Sequence, residues 1–322
     1  MLSLSKHLFL LVRPSTGSGR AGFLLGMTLL LSACASYPDI SQSRSPCRLD
    51  PGGWCDFVRE GALEAYPYAI AATQAYTGDD DVFLDIGSKL RPIERLPILE
   101  KYEDKGFGYQ LFEQYENPQD TVPKARILAF RGTDFDGLTD IFYGTLRNDQ
   151  IEIAVRTFEA EAARFTDDVP WIVTGHSLGG ALATEVSIKY PEVRAYMFNT
   201  SPFYGGEDMQ NDMRRTVFNE RGEVLRRFRK FDAAPAADLF TVNCSPQKGT
   251  FYKHKIRPLA DCITWIAAYE DEAAGQIVAA NAITKPMVEC GPADKPHPGT
   301  QRGPVSPCVH MARRPKSDKE RN

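Results

Sequence analysis

The sequence predicts an α/β fold, a mostly parallel sheet with helices packed on both faces. Two patterns in the chain carry that prediction. Strand-like runs alternate with helical runs through the middle of the chain, as strands joined by helical crossovers do. In addition, "VPWIVTGHSLGGALATEV" (169–186) sets a short apolar run against clustered glycines and turns at once into helix formers. A composition of 43% hydrophobic and 25% charged residues in 322 suits one large globular domain or two small ones.

The N-terminal segment stands apart from this pattern. Lys6, Arg13 and Arg20 precede the apolar run "AGFLLGMTLLLSA", which stops at Cys34. Such a run is too short to span a bilayer comfortably, so residues 1–33 read as a secretory signal. "LSAC" (31–34) resembles a bacterial lipobox. The resemblance implies acylation of Cys34, an N-terminal lipid anchor on a membrane, and an exported protein of the cell envelope. Ala35 follows the cysteine where an inner-membrane protein would carry Asp, which implies an outer membrane lipoprotein. Loss of residues 1–33 removes three positive and no negative charges, taking the net charge from −4 to −7, a balance that argues against a nucleic-acid partner. Residues 34–56, rich in Ser, Pro and Gly, read as an acylated tether.

Six cysteines remain after Cys34: Cys47, Cys55, Cys244, Cys262, Cys290 and Cys308. An even number in an exported chain indicates disulfides, and six cysteines allow fifteen connectivities. The pairs 47–55, 244–262 and 290–308 are expected because each brackets one irregular segment. No C-x-x-C spacing and no histidine cluster supports zinc, so no metal site is expected, and no organic cofactor either.

The elements then follow in order. "FVREGALEAYPYAIAATQAY" (57–76) has a helical apolar period, and "FGYQLFEQYE" and "KARILAFRGTD" read as paired strands across a polar turn. "NDQIEIAVRTFEAEAARF" is an amphipathic helix; "WIVT", "VRAYMFNTSP", "RRTVFNE" and "ADLFTVNC" are strands. "RPLADCITWIAAYEDEAAGQIVAANAI" closes the domain as helix, giving a globular region over 57–285. Residues 286–322, dominated by Pro, Gly and basic side chains, read as a loosely ordered tail. The basic run "RRFRK" (226–230) reads as a solvated face.

Within "TGHSLGG" the G-x-S-x-G spacing imposes a sharp strand-to-helix turn that leaves one hydroxyl exposed at the end of a strand. Ser177 is therefore the candidate nucleophile. The amide of Leu178, in the first turn of the following helix, is a candidate oxyanion donor, because first-turn N–H groups have no partner inside the helix.

"AFRGTD" (129–134) and "TGHSLGGALA" (174–183), at this spacing, resemble the class 3 (fungal-type) lipases and their bacterial relatives. The resemblance covers about 57–285 and implies an α/β-hydrolase fold, a serine mechanism without cofactor, and a lipid or small ester substrate. It also implies that Thr133 joins Leu178 in the oxyanion hole. The base must be a histidine within reach of Ser177. Of five histidines, His7 lies in the signal, His176 in the elbow, and His297 and His310 in the tail. His254 lies between the last strand and the closing helix, where the family places its base. The family's acid is an Asp after the preceding strand, written roughly N-x-x-D-x-V; here "NERGEV" (219–224) has Gly222 at that position. Glu223, beside it, is the expected acid, with Glu220 and Asp232 as rivals.

The reading is a serine carboxylic-ester hydrolase, a lipase, phospholipase or esterase. Only about fifteen residues separate "FRGTD" from Gln150, little room for a lid, which adds soluble short-chain esters to the substrate classes. Two alternatives remain: an inactive hydrolase-fold binding module of the envelope, suggested by the missing Asp, and an acyltransferase.

Overall fold

The computed structural model describes residues 39–42, 51–76, 82–132, 144–202, 212–226, 236 and 238–289. Among these, the strands form one eight-stranded sheet in the order β1-β8-β7-β6-β5-β4-β3-β2. The strands are β1 (Asp39–Gln42), β2 (Leu90–Ile93), β3 (Tyr109–Gln114), β4 (Ala125–Phe130), β5 (Trp171–His176), β6 (Arg194–Phe198), β7 (Arg215–Glu220) and β8 (Asp238–Val242). Strands β4 to β8 and β1 run parallel, while β2 and β3 form an antiparallel extension at one edge. The helices are α1 (Asp56–Gln74), α2 (Glu100–Glu103), α3 (Gly144–Ala162), α4 (Leu178–Lys189), α5 (Thr250–His254), α6 (Ile256–Ala267) and α7 (Glu272–Ala280).

Side chains alternate across a strand, so a sheet covered on both faces needs apolar residues at every position. β4 comes close: all six residues of "ARILAF" are buried, and the one polar side chain, Arg126, is paired with Glu113 and Asp167. Ile127 and Ala129 join the core under α1 and α6, whereas Leu128 and Phe130 join the core under α3 and α4. On the first face Phe198, Phe218 and Phe240 stand in register on three neighbouring strands. The last two rings stack with centroids 4.5 Å apart. The sheet is thereby held flush at its middle, next to the ends that carry the polar groups described below.

Two strands were not expected from the sequence. β1 lies inside the predicted tether and pairs in parallel with β8 from Asp39↔Leu239 to Gln42↔Val242. β2, "LRPI", contains Pro92, which an edge strand tolerates because one of its sides needs no N–H donors. The closing helix is two helices. The break falls at Asp271, whose carboxylate accepts the Ala273 N–H at 2.8 Å and caps α7. At the margins of the expected globular region, Trp54 is buried and the Met287 N–H donates to the Cys244 carbonyl at 3.0 Å.

The parallel central strands, the crossover helices on both faces and the turn from β5 into α4 make this an α/β-hydrolase fold. Cys34, Cys47, Thr133, Asp232, Cys290, Cys308, His297 and His310 lie outside the described residues, as does all of "RRFRK" except Arg226.

Candidate active site

Ser177 is the single residue between β5 and α4, and its backbone sits at φ 55, ψ −121. Left-handed φ in a non-glycine residue costs on the order of 1–3 kcal/mol, so the surroundings must hold it there. They do so by backbone contact. A Cβ at Gly175 would overlap the Gly179 carbonyl, and one at Gly179 would overlap the Phe130 carbonyl at the end of β4. The Ser177 N–H donates to the Phe198 carbonyl at 3.1 Å, and the Ser177 carbonyl accepts from Ser201 N–H at 3.0 Å. The elbow is thus pinned between β4 and β6. The amide of Leu178 opens α4, as expected for an oxyanion donor. Thr133 lies outside the described residues, but the chain just before it passes the elbow: a Cβ on Gly132 would lie 3.3 Å from the Ser177 Cβ.

His254 ends the five-residue helix α5. Its Nε2 lies 3.0 Å from the Ser177 Oγ, and its Nδ1 lies 2.7 Å from the Glu223 Oε2. All three side chains are buried. At low local dielectric, hydrogen bonds of this kind are stronger than in water. Glu223 is itself fixed, since its Oε2 also accepts the Leu225 N–H at 2.8 Å. It enters the site from a turn after β7 in which Gly222 has φ 79, a left-handed conformation in which an Asp would be strained. That turn brings the Glu223 carboxylate to His254.

The three carboxylates considered from the sequence therefore separate. Glu223 meets His254. Glu220, three residues earlier, accepts instead the amides of Cys244 at 2.9 Å and Ser245 at 3.0 Å. Burial pushes its carboxyl up to about 7, against the opposing effect of those two amide bonds. Asp232 lies outside the described residues.

Cys244 and Cys262 are joined by a disulfide, with Cα atoms 6.1 Å apart, as the expected 244–262 pair. The bridge closes the segment that contains His254, tying the end of β8 to α6. Cys55 is also disulfide-bonded. Among the described residues no group of His, Cys, Asp or Glu is arranged to hold a metal ion, and no helix is long and apolar enough to cross a membrane.

Three polar residues at the site were not singled out from the sequence as functional. The His176 Nε2 lies 2.6 Å from the His254 carbonyl oxygen. Its Nδ1 lies 2.7 Å from the Tyr76 hydroxyl. Asn199, at φ 43, donates from Nδ2 to the carbonyls of Lys253 at 3.0 Å and His254 at 3.2 Å, and accepts the Glu220 N–H at 2.8 Å. One signal for Asn199 was present: a polar residue follows directly on the buried run "AYMF". Tyr76, at the end of an apolar helical pattern, carried none.

No family model and no curated protein matches the chain. Solved structures similar to it include a lipase from Rhizopus microsporus var. chinensis, at 18% identity and a TM-score of 0.33 over 52% of this chain and 68% of that one. A mutant form of MDLA from Penicillium cyclopium matches at 16% identity and a TM-score of 0.39, over 62% of this chain and 86% of that one. Lipase II from Rhizopus niveus matches at 14% and 0.32, over 52% and 74%.

Proposed function

We propose that this protein is a serine hydrolase of carboxylic esters, with Ser177 as nucleophile, His254 as general base and Glu223 as the acid that orients it. One observation carries the reading: His254 lies within hydrogen-bond reach of both the Ser177 Oγ and the Glu223 carboxylate, at 3.0 and 2.7 Å. In this reading the Glu223 carboxylate accepts, so that the proton resides on His254 Nδ1 and Nε2 is free to take the serine proton. Ser177 Oγ then attacks the ester carbonyl carbon, and the carbonyl oxygen becomes an oxyanion facing the Leu178 amide and Thr133. Collapse expels the alcohol, which takes the proton from His254, and an acyl-serine remains. Water, deprotonated by His254, attacks that acyl group and releases the acid.

The inactive-module alternative drew its support from Gly222 in place of an Asp; the Glu223–His254 hydrogen bond takes that support away. Lipids or small esters are the proposed substrates, on the motif resemblance. An anchor at Cys34 and export to the outer membrane are proposed on the apolar run and the lipobox. The bridged Cys244 and Cys262 fit an oxidising compartment.

The test is Ser177→Ala in the soluble fragment beginning after Ala35, assayed on a panel of p-nitrophenyl esters and phospholipids. Turnover should fall at least about a thousandfold and fluorophosphonate labelling should vanish, with the fold intact. Turnover near the wild-type rate would end the proposal. For the anchor, metabolic labelling with an alkynyl fatty acid in a bacterial host should mark the wild type and spare Cys34→Ala.

A further inference from the structure

We infer that Tyr76 and His176 are positioning residues for the base, forming a directed chain of hydrogen bonds from the Gly132 amide to the His254 carbonyl. The inference rests on the reading of Ser177 and His254 given above. The two ends set the direction of the outer bonds. A carbonyl oxygen only accepts, so His176 must donate from Nε2 to the His254 carbonyl, 2.6 Å away. In the neutral tautomer with its proton on Nε2, the ring presents Nδ1 as an acceptor for the Tyr76 hydroxyl 2.7 Å away. The same hydroxyl oxygen accepts the Gly132 N–H at 3.1 Å. An amide at one end and a carbonyl at the other thus fit the Nε2–H tautomer of His176.

The consequence falls on His254. It ends a helix of five residues, too short to be rigid through its own hydrogen bonds. Two side chains, His176 and Asn199, donate to its carbonyl and so set where its backbone lies. The reach of its ring to Ser177 depends on that placement. The His176 and His254 rings also lie 4.8 Å apart between centroids. At its far end the chain holds Gly132, the residue before Thr133. One relay therefore aligns the base and the strand that leads to the oxyanion position.

The test compares three variants of the full-length protein, purified in detergent, on a soluble p-nitrophenyl ester. His176→Phe keeps a ring but loses both polar ends, and should lower kcat by about 10- to 100-fold with KM within about twofold. His176→Gln restores an N–H donor near the Nε2 position and should recover kcat to within about threefold of wild type. Tyr76→Phe should lose about three- to tenfold, in kcat as well. A folded His176→Phe protein with kcat within about twofold of wild type overturns the inference, as does His176→Gln that is no better than His176→Phe. If His176→Phe does not fold, the Tyr76→Phe result decides in its place. A readout independent of turnover separates this inference from the reading beneath it: the NMR resonance of the His254 Nδ1 proton in the hydrogen bond to Glu223. That resonance should shift or broaden in His176→Phe. If turnover is lost in Ser177→Ala but the resonance is unchanged in His176→Phe, only the positioning role is overturned. If turnover survives Ser177→Ala, the catalytic reading itself has failed.

Discussion

The elbow and the corner that holds His254 stand 3.0 Å apart at their tips, yet they are built in opposite ways. Residues 175 to 180 make most of their own geometry: two glycines allow backbone to touch backbone, and a strained serine sits between a strand and a helix. The corner is drawn from four distant parts of the chain. Asn199 comes from the end of β6, Glu223 from the turn after β7, His176 from the elbow, and the Cys244–Cys262 bridge closes the segment around the base. A local device is either present or destroyed. A distributed one can be weakened in steps.

The first prediction tests the all-or-none side. Gly179→Ala puts a Cβ into the Phe130 carbonyl, where the obstacle is backbone and cannot swing away. It should destabilise the fold by about 4 kcal/mol or more, read from urea unfolding or from loss of soluble protein. A protein that tolerates it would mean that the elbow is softer than its contacts require.

On the distributed side, Glu223→Gln should lower turnover by about a hundredfold or more while the melting temperature barely moves, because the amide can donate to Nδ1 and favour the wrong tautomer. Glu220→Gln should leave turnover within a few fold of wild type. If the two results are exchanged, Glu220 rather than Glu223 orients the base. Removing the bridge by Cys244→Ser with Cys262→Ser should cost about 3 kcal/mol in stability. It should also slow fluorophosphonate labelling, since the closed segment carries His254.

The smallest effect is one of pH. Glu220 keeps its proton in the folded chain up to about 7, whereas the unfolded chain loses it near the ordinary 4.5. Between those values the folded state binds more protons than the unfolded state, so stability falls as pH rises from about 5 to about 7 and then levels. The loss should be on the order of 1–3 kcal/mol. Melting temperatures of wild type and Glu220→Gln across this range should diverge with rising pH, the variant being the flatter.

The same contrast governs how much of the molecule is legible in its sequence. The elbow is legible because its glycines and serine are neighbours in the chain, and the contact of Gly175 with Gly179 is local. The alternation of strands and helices is legible for a similar reason: a buried strand such as "ARILAF" states its environment in its own composition. β1 is not, since "DISQ" has no apolar pattern and is a strand only because β8 offers an edge. Glu223 is reachable only as a neighbour of the position where the family's Asp would stand. Its selection over Glu220 depends on a left-handed turn at Gly222 and on amides of Cys244 and Ser245 that occupy the rival. Tyr76 and Asn199 act through contacts with residues far away in the chain, which no periodicity encodes.

β1 has a further consequence. It lies against β8 along four residue pairs, so the hydrogen-bonding groups on that side of β8 are already engaged within the chain. Without it, β8 would be the last strand of a sheet with an open row of donors and acceptors, a template for pairing with other molecules. A recombinant fragment begun at residue 43 would present that open row, whereas one begun after Ala35 keeps it closed. The four residues "DISQ" thus move the edge of the sheet from five-residue β8 to a shorter strand, and a short edge offers other molecules fewer pairing groups.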